Sequence, residues 1–142
     1  AEALGFWLKV GSVNVRPGKP TFFGVLGDGR RLLGLPGNPA SAFVCAELFL
    51  KPLLAKFQGA AGQFSLASAQ LVKPLPANGP REHWMRAKLT YEGGAILAEP
   101  YRDQDSSLVS VFAAADALVR RPGGAPAQAP GDLVDILPLA RG

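Results

Sequence analysis

The sequence predicts an α/β-type part followed by an all-β part. Three short strand-like runs are followed by a long apolar segment, residues 39–57, whose composition is typical of a buried helix. After residue 65 the helical periodicity disappears, and short β-type runs alternate with Pro/Gly turns. We therefore expect a first domain over residues 1–62 and a second over residues 63–142, the second being a small barrel or sandwich.

The composition indicates a packed protein with an excess of positive charge. Of 142 residues, 48% are hydrophobic and 18% charged, and the net charge is +4. The basic residues are spread along the chain, whereas a nucleic-acid binder would concentrate them in a stripe with aromatic residues, so we expect no nucleic acid as partner. No apolar run has membrane-spanning length, and the single cysteine, Cys45, cannot form an internal disulfide. We expect a cytoplasmic protein that binds no membrane.

In the first part of the sequence, residues 1–62, we expect three strands joined by turns. The strands are expected at Phe6–Val15, Thr21–Leu26 and Arg31–Leu35. The turn Gly27–Arg30 has the chemistry of a β-hairpin. The turn Arg16–Pro20 is rigid and carries two cations three residues apart. Because the chain lacks an initial Met and enters a strand pattern at once, we also expect it to be the C-terminal piece of a longer protein.

The helix that follows has clear local signals at both ends. Asn38 is a good N-cap and Pro39 suits the first helical position. Pro52 predicts a kink or a break, and two glycines, Gly59 and Gly62, predict the end of the helix. Because the helix is apolar on nearly all sides, we expect it to be buried on more than one side.

The loop before the helix is a candidate anion site. Pro36, Gly37 and Asn38 lead from a strand into the first turn of the helix, where backbone N–H groups and the helix dipole favour negative charge. The alternative interpretation is a well-capped turn without a ligand. These residues alone leave both interpretations open.

The second part of the sequence, residues 63–142, contains five β-type runs that are expected to form strands. Met85 to Tyr91 shows the two-residue alternation of a half-exposed strand, with Arg86 among the polar positions. Residues 106–115 favour a helical turn. The predicted strands are Leu66–Leu75, His83–Tyr91, Ala95–Pro100, Leu118–Arg121 and Leu133–Leu139.

Several motifs, in order, carry a resemblance to a known family. They are Arg16-Pro17-Gly18-Lys19-Pro20, Leu35-Pro36-Gly37-Asn38-Pro39-Ala40-Ser41, Arg81-Glu82 with Arg86, Gln104-Asp105-Ser106, Ala115-Asp116-Ala117-Leu118 and Gly131-Asp132-Leu133-Val134. With these motifs the chain resembles the molybdopterin molybdotransferases, the MoeA and gephyrin E-domain family. The resemblance covers nearly all of the chain.

The resemblance implies a fold and a reaction. It implies that the first domain, residues 1–62, is the C-terminal half of a three-layer α/β molybdopterin-binding domain, and that residues 63–142 form a C-terminal β-barrel domain. The implied reaction inserts molybdate into adenylylated molybdopterin with release of AMP, helped by Mg²⁺ or Zn²⁺. The implied assembly is a homodimer whose active cleft lies between domains of different subunits.

The resemblance also implies site residues. Arg16 and Lys19 match the basic pair at the molybdate and phosphate site, and Arg81 and Ser106 match barrel residues that face the oxyanion. The matching residues of the proline loop are Pro36, Gly37, Asn38, Pro39 and Ser41. The Gly-rich and aspartate-bearing motifs that hold metal and nucleotide in the family lie upstream of this chain. We therefore expect an inactive fragment in isolation. Because no His, Cys or Asp cluster has the spacing of metal ligands, we also expect no metal site in this chain.

The chain departs from the family pattern at three positions. Arg16 stands where lysine is commoner in the family, and its guanidinium offers paired N–H donors suited to an oxyanion. Ser12 stands where many members carry another lysine, so one cation is missing. Asp105 stands where a glycine is usual, beside a proposed anion contact. Of the other polar residues, His83 is expected to be a packing residue and Arg86 an ion-pair partner.

Two further functions remain as alternatives. The gephyrin branch of the family uses the same domain pair as a scaffold for receptor tails, so the chain could be a protein–protein interaction module whose barrel edges accept a peptide. A nucleic-acid binder is suggested by the pI of about 9.6 alone.

Overall fold

The chain folds into two compact units, Ala1–Gly62 and Gln63–Gly142, called here the N-terminal and the C-terminal unit. The computed structural model of the protein describes residues 5–62, 64–102, 104 and 114–140. Ser106 and Asp105 lie outside the described residues, as does most of the predicted helical turn over residues 106–115.

The N-terminal unit contains a three-stranded antiparallel sheet. Its strands are β1 (Trp7–Val10), β3 (Phe22–Val25) and β4 (Arg31–Gly34), in the order β1-β3-β4. The predicted single strand over residues 6–15 is wrong, because the chain leaves the sheet after Val10 and forms a separate two-residue strand, β2 (Val15–Arg16).

The predicted hairpin turn joins β3 to β4. The N–H of Leu26 donates to the carbonyl of Arg30 at 2.8 Å, and the N–H of Gly29 donates to the carbonyl of Leu26 at 2.9 Å. Asp28 accepts from both the backbone and the side chain of Arg30, at 3.0 and 2.6 Å. These bonds hold the pKa of the Asp28 carboxyl below its usual range. The hairpin prediction is confirmed.

The predicted helix extends over residues 39–57 but changes its winding in the middle. It comprises α1 (Pro39–Cys45), a π-helical segment (Ala46–Leu50) and α2 (Lys51–Phe57). In the π-helical segment the N–H of Lys51 donates to the carbonyl of Ala46, five residues back. The wider turn accommodates Pro52, which has no N–H and whose ring would clash with a carbonyl of a regular α-helix. Of the predicted kink or break at Pro52, the break does not occur, since the helix continues past it.

The helix ends as its glycines predict. Gly59 has a φ of +85°, and its N–H donates to the carbonyl of Lys56 at 3.1 Å. The N–H of Ala60 donates to the carbonyl of Ala55 at 2.9 Å. These two bonds form a Schellman motif, which satisfies carbonyls that the helix end would otherwise leave unpaired.

The helix is buried on one side only. Ala40, Val44, Cys45 and Leu48 are buried, while an outer stripe remains exposed, namely Phe43, Leu54 and Phe57. The expectation that the helix is buried on several sides is wrong for this chain. The described residues of this unit form two layers, one sheet and one helix, and not a three-layer α/β domain. Of the elements with given bounds in the described part of the chain, most are strands, and residues 39–57 form a continuous helical segment.

The C-terminal unit is a closed five-stranded barrel. Neighbouring strands pair in the order β6-β7-β5-β9-β8, and β8 pairs back with β6. The pair β5–β7 is parallel and the other pairs are antiparallel. The strands are β5 (Ala67–Leu71), β6 (Glu82–Glu92), β7 (Ala95–Pro100), β8 (Ala117–Arg121) and β9 (Leu133–Pro138). The sequence predicted all five, with only β5 clearly shorter than expected.

The barrel interior is narrow and is filled by small side chains. Ala87, Ala98 and Ala117 have no exposed surface and pack with larger aliphatic residues from every strand, such as Val119 and Ile136. A five-stranded barrel has little interior volume, so the inward-facing side chains near its middle have to be small.

The outer face of the barrel carries a second set of buried residues. Trp84 and Arg86 are 2% and 3% exposed, although they alternate with the interior residues of β6. Trp84 makes an edge-to-face contact with Phe64, their ring centroids 5.8 Å apart. The expectation that the polar positions of this strand are solvated is therefore wrong for Arg86. It holds for Lys88, which is exposed.

Candidate functional site

The Arg16–Pro20 loop presents two exposed cations on a fixed backbone. Arg16 and Lys19 are both exposed. The N–H of Val13 donates to the carbonyl of Lys19 at 3.1 Å, and the N–H of Thr21 donates to the carbonyl of Gly18 at 2.9 Å. The two bonds close the loop on itself, so that its charged side chains project from a defined turn.

The loop is also fixed to the helix, through Cys45. The Thr21 hydroxyl donates to the Cys45 sulfur at 3.3 Å. Gly18 has a φ of +123°, and a Cβ at this position would overlap the Cys45 sulfur. Glycine is therefore required here both for its backbone conformation and for the close approach of the loop to the helix.

The side chain of Asn38, in the predicted proline loop, caps the helix. The Asn38 Oδ1 accepts from the N–H of Ala40 at 3.1 Å and from the N–H of Ser41 at 3.4 Å. The N–H of Ala42 donates to the carbonyl of Asn38 at 2.8 Å, and Pro39 has none to donate. These groups therefore have acceptors within the chain, as in the alternative interpretation of a well-capped turn, and the anion site at this loop stays a prediction.

The two loops contact the helix at different points. The contacts of Gly18 and Thr21 are with Cys45, the last residue of α1, six residues beyond Pro39. At about 1.5 Å per residue this is about 9 Å along the helix axis. In the proline loop Gly37 and Pro39 are exposed, Pro36 is half-buried and Ser41 is 7% exposed.

Arg81 stands at the entry to β6 in the C-terminal unit, where it is half-buried. Its carbonyl accepts from the side-chain Nδ2 of Asn78 at 2.9 Å. The other predicted residue of this unit, Ser106, stays a prediction because it is outside the described residues.

An open cavity of about 320 Å³ in the N-terminal unit contains none of the predicted site residues. It lies between sheet and helix, with Phe22 and Leu33 on one side and Leu48 and Leu53 on the other, and Lys56 is its charged residue. Its lining is apolar, which does not suit an oxyanion.

The described part of the chain has no metal-ligand cluster and no helix that could span a membrane. No three His, Cys, Asp or Glu side chains come together there as metal ligands would. Within the same residues, no helix combines the length and the apolar character needed to cross a membrane.

Sequence reasoning missed two side chains that complete the barrel. The Gln104 Oε1 accepts from the N–H of Arg86 at 2.9 Å, and its Nε2 donates to the carbonyl of Arg86 at 3.0 Å. On the other edge of β6, the Asp116 Oδ2 accepts from the N–H of Leu89 at 2.9 Å. Both side chains pair with the backbone of β6 beyond the ends of its neighbouring strands. Their motifs were visible in the sequence, but this role depends on strand pairing.

Ionisation of the Cys45 thiol should make the free energy of unfolding depend on pH. Burial raises the pKa of its thiol above the ordinary value, and the hydrogen bond from Thr21 opposes this only in part. As the pH rises above about 8.5, the thiol ionises first in the unfolded chain, which then binds fewer protons than the folded chain. The free energy of unfolding should therefore fall, by at most about 1.4 kcal/mol per pH unit.

The measurement is urea unfolding between pH 7.5 and 10, of the natural chain and of Cys45→Ala. Other groups that ionise at alkaline pH are present in both proteins. The contribution of the Cys45 thiol is therefore the difference between the two slopes of unfolding free energy against pH. Equal slopes would contradict the assignment.

The fold and the loops define a class of protein: a small closed β-barrel preceded by a strand, a proline loop and a helix. The sequence profile described as the MoeA C-terminal region (domain IV) matches residues 68–139, just over half of the chain. The chain belongs to this family.

Curated relatives extend the similarity over nearly the whole chain. The chain is 34% identical to the molybdopterin molybdenumtransferase of Bacillus subtilis, over 96% of this chain and 32% of the relative. It is 33% identical to the protein of the same name from Staphylococcus aureus, over 88% of this chain and 30% of the relative. The chain thus spans about a third of the length of these relatives.

Solved structures agree with the fold. The molybdopterin biosynthesis MoeA protein from Pyrococcus horikoshii superimposes with a TM-score of 0.77 at 31% sequence identity. The match covers 96% of this chain and 33% of that chain. Both units therefore have a counterpart in a protein of this family.

Proposed function

We propose that the chain acts in molybdenum cofactor biosynthesis, as the part of a molybdopterin molybdenumtransferase that holds the oxyanion. The reaction would be insertion of molybdate into adenylylated molybdopterin with release of AMP. Two findings support the proposal: the family membership, and relatives that carry the name of this enzyme.

One structural observation carries the oxyanion role: Arg16 and Lys19 are exposed on a loop that is fixed at both ends. Molybdate is a tetrahedral dianion that needs several charge-assisted donors. Each such bond contributes on the order of 1.5–3 kcal/mol. A fixed loop loses less conformational entropy when its cations bind than a mobile one would.

In this proposal the proline loop supplies neutral donors. Because Asn38 Oδ1 occupies the amides of Ala40 and Ser41, the loop can offer the side-chain Nδ2 of Asn38, the hydroxyl of Ser41 and the backbone amide of Gly37. Pro36 and Pro39 would keep these donors in place by fixing φ at two points. In the C-terminal unit, Arg81 would supply a further cation.

We propose that the N-terminal unit is the C-terminal half of a molybdopterin-binding α/β domain and that the C-terminal unit is the barrel domain of the same enzyme. A homodimer and a cytoplasmic location are part of the same proposal. Mg²⁺ or Zn²⁺ does not fit the described residues of this chain, which offer no cluster of ligands.

The test is the affinity of Lys19→Ala for sodium molybdate, measured by calorimetric titration of this chain. Loss of one charge-assisted bond should weaken binding by about tenfold or more. Lys9→Ala is the matched control, because Lys9 is an exposed lysine of the same unit outside the loop. Unchanged affinity in Lys19→Ala, with circular dichroism showing an intact fold, would rule out the proposed role of this cation.

A further inference from the structure

The segment that leads to Arg81 is held by side chains and not by a strand ladder. Pro76 and Pro80 have no N–H, so residues 76–81 cannot form a regular ladder with the chain beside them. Two backbone bonds do form: the N–H of Asn78 donates to the carbonyl of Ala125, and the N–H of Gly124 donates to the carbonyl of Gly79, both at 2.8 Å.

Asn78 provides the principal connection between this segment and β8. Its Nδ2 lies 2.9 Å from the carbonyl oxygen of Arg81, 3.1 Å from that of Arg121 and 2.8 Å from that of Pro122. One amide group therefore holds Arg81 to the end of β8, 40 residues further along the chain. Asn78 itself is only half-exposed, which limits competition from water.

The surrounding residues make this connection rigid. Arg121 is 3% exposed, and its Nη2 donates to the carbonyls of Pro76 and Pro126 at 3.0 and 2.8 Å. Gly123 approaches the carbonyl of Pro80 so closely that a Cβ would overlap it. The backbone on both sides of Asn78 is thus fixed, so the side-chain amide of Asn78 can hold the Arg81 carbonyl at a fixed distance from the end of β8.

We propose that Asn78 is a positioning residue for Arg81, a role that rests on the proposed function of Arg81 as an oxyanion contact. By fixing the Arg81 carbonyl, the Asn78 amide sets where the Arg81 Cα lies and from where its guanidinium reaches molybdate. Asn78 itself does not touch the anion. Its effect on binding therefore passes entirely through Arg81.

A double-mutant cycle on this chain, titrated with sodium molybdate, separates this role from a merely structural one. Arg81→Ala should weaken binding by about tenfold or more, and Asn78→Ala by about three- to tenfold. Because Asn78 acts through Arg81, the double variant should bind no more weakly than Arg81→Ala alone. Asn78→Ser, which retains one donor, should fall between the natural chain and Asn78→Ala, and it replaces Asn78→Ala if the latter does not fold.

Gln128→Ala is the matched control, because Gln128 also donates from a side-chain amide to a backbone carbonyl, that of Leu133 at 3.3 Å, within the same unit. It should bind as the natural chain does. If Arg81→Ala weakens binding while the Asn78 variants do not, or if the two effects add, the positioning role is overturned and the anion role of Arg81 stands. If Arg81→Ala binds as tightly as the natural chain, both proposals fail.

Discussion

Replacing Gly18 by alanine should lower the free energy of unfolding of the N-terminal unit by about 2–6 kcal/mol. The first contribution is backbone strain, since a φ of +123° is accessible to glycine and costs other residues about 1–3 kcal/mol. The second is overpacking, since the added Cβ would overlap the buried sulfur of Cys45, which costs about a further 1–3 kcal/mol.

Denaturant unfolding followed by circular dichroism at 222 nm measures this loss, because residues 39–57 of the N-terminal unit are helical. Gly29→Ala is the control: its φ is +86°, but no atom lies within 4 Å of the added Cβ. It should show strain without overlap and lose less stability. Equal losses in the two variants would contradict the close packing of the loop on Cys45.

Replacing Trp84 by alanine should destabilise the C-terminal unit by about 3–5 kcal/mol. The side chain is 2% exposed and lies against Phe64, so its removal leaves a large cavity on the outer face of the barrel. Thermal unfolding of Trp84→Ala followed by near-ultraviolet circular dichroism measures the loss.

Trp84→Phe separates packing from hydrogen bonding. Among the described residues, the buried indole Nε1 of Trp84 has no acceptor, so phenylalanine removes an unsatisfied donor together with part of the packed surface. It should therefore lose much less stability than alanine. A Trp84→Phe variant as unstable as Trp84→Ala would show that the indole nitrogen has a stabilising partner.

Features set by neighbouring residues could be predicted from the sequence. The hairpin turn at Asp28, the cap at Asn38 and the helix end at Gly59 each depend on side chains within a few positions. Pro52 predicts a kink or a break from local rules, but the helix continues past it, with a π-helical segment over Ala46–Leu50 just before the proline.

The geometry of the candidate site could be predicted only in part. The sequence indicates which residues carry charge and that Asn38 caps the helix, but it does not show which distant residues lie around them. The contact of Gly18 with Cys45 and the bonds of Asn78 join residues far apart in sequence. The burial of Arg86 likewise depends on what packs outside the barrel, which the alternation along one strand does not reveal.

The closure of the barrel has a consequence for polymerisation of the chain. Its five strands pair in a ring, so fewer of their backbone groups are left unpaired than at the edges of an open sheet. In the sheet of the N-terminal unit, β1 and β4 are edges, and Trp7, Leu8 and Leu32 on them are exposed. Addition of a strand from another molecule is therefore expected more readily at β1 and β4 of the N-terminal sheet than at the barrel.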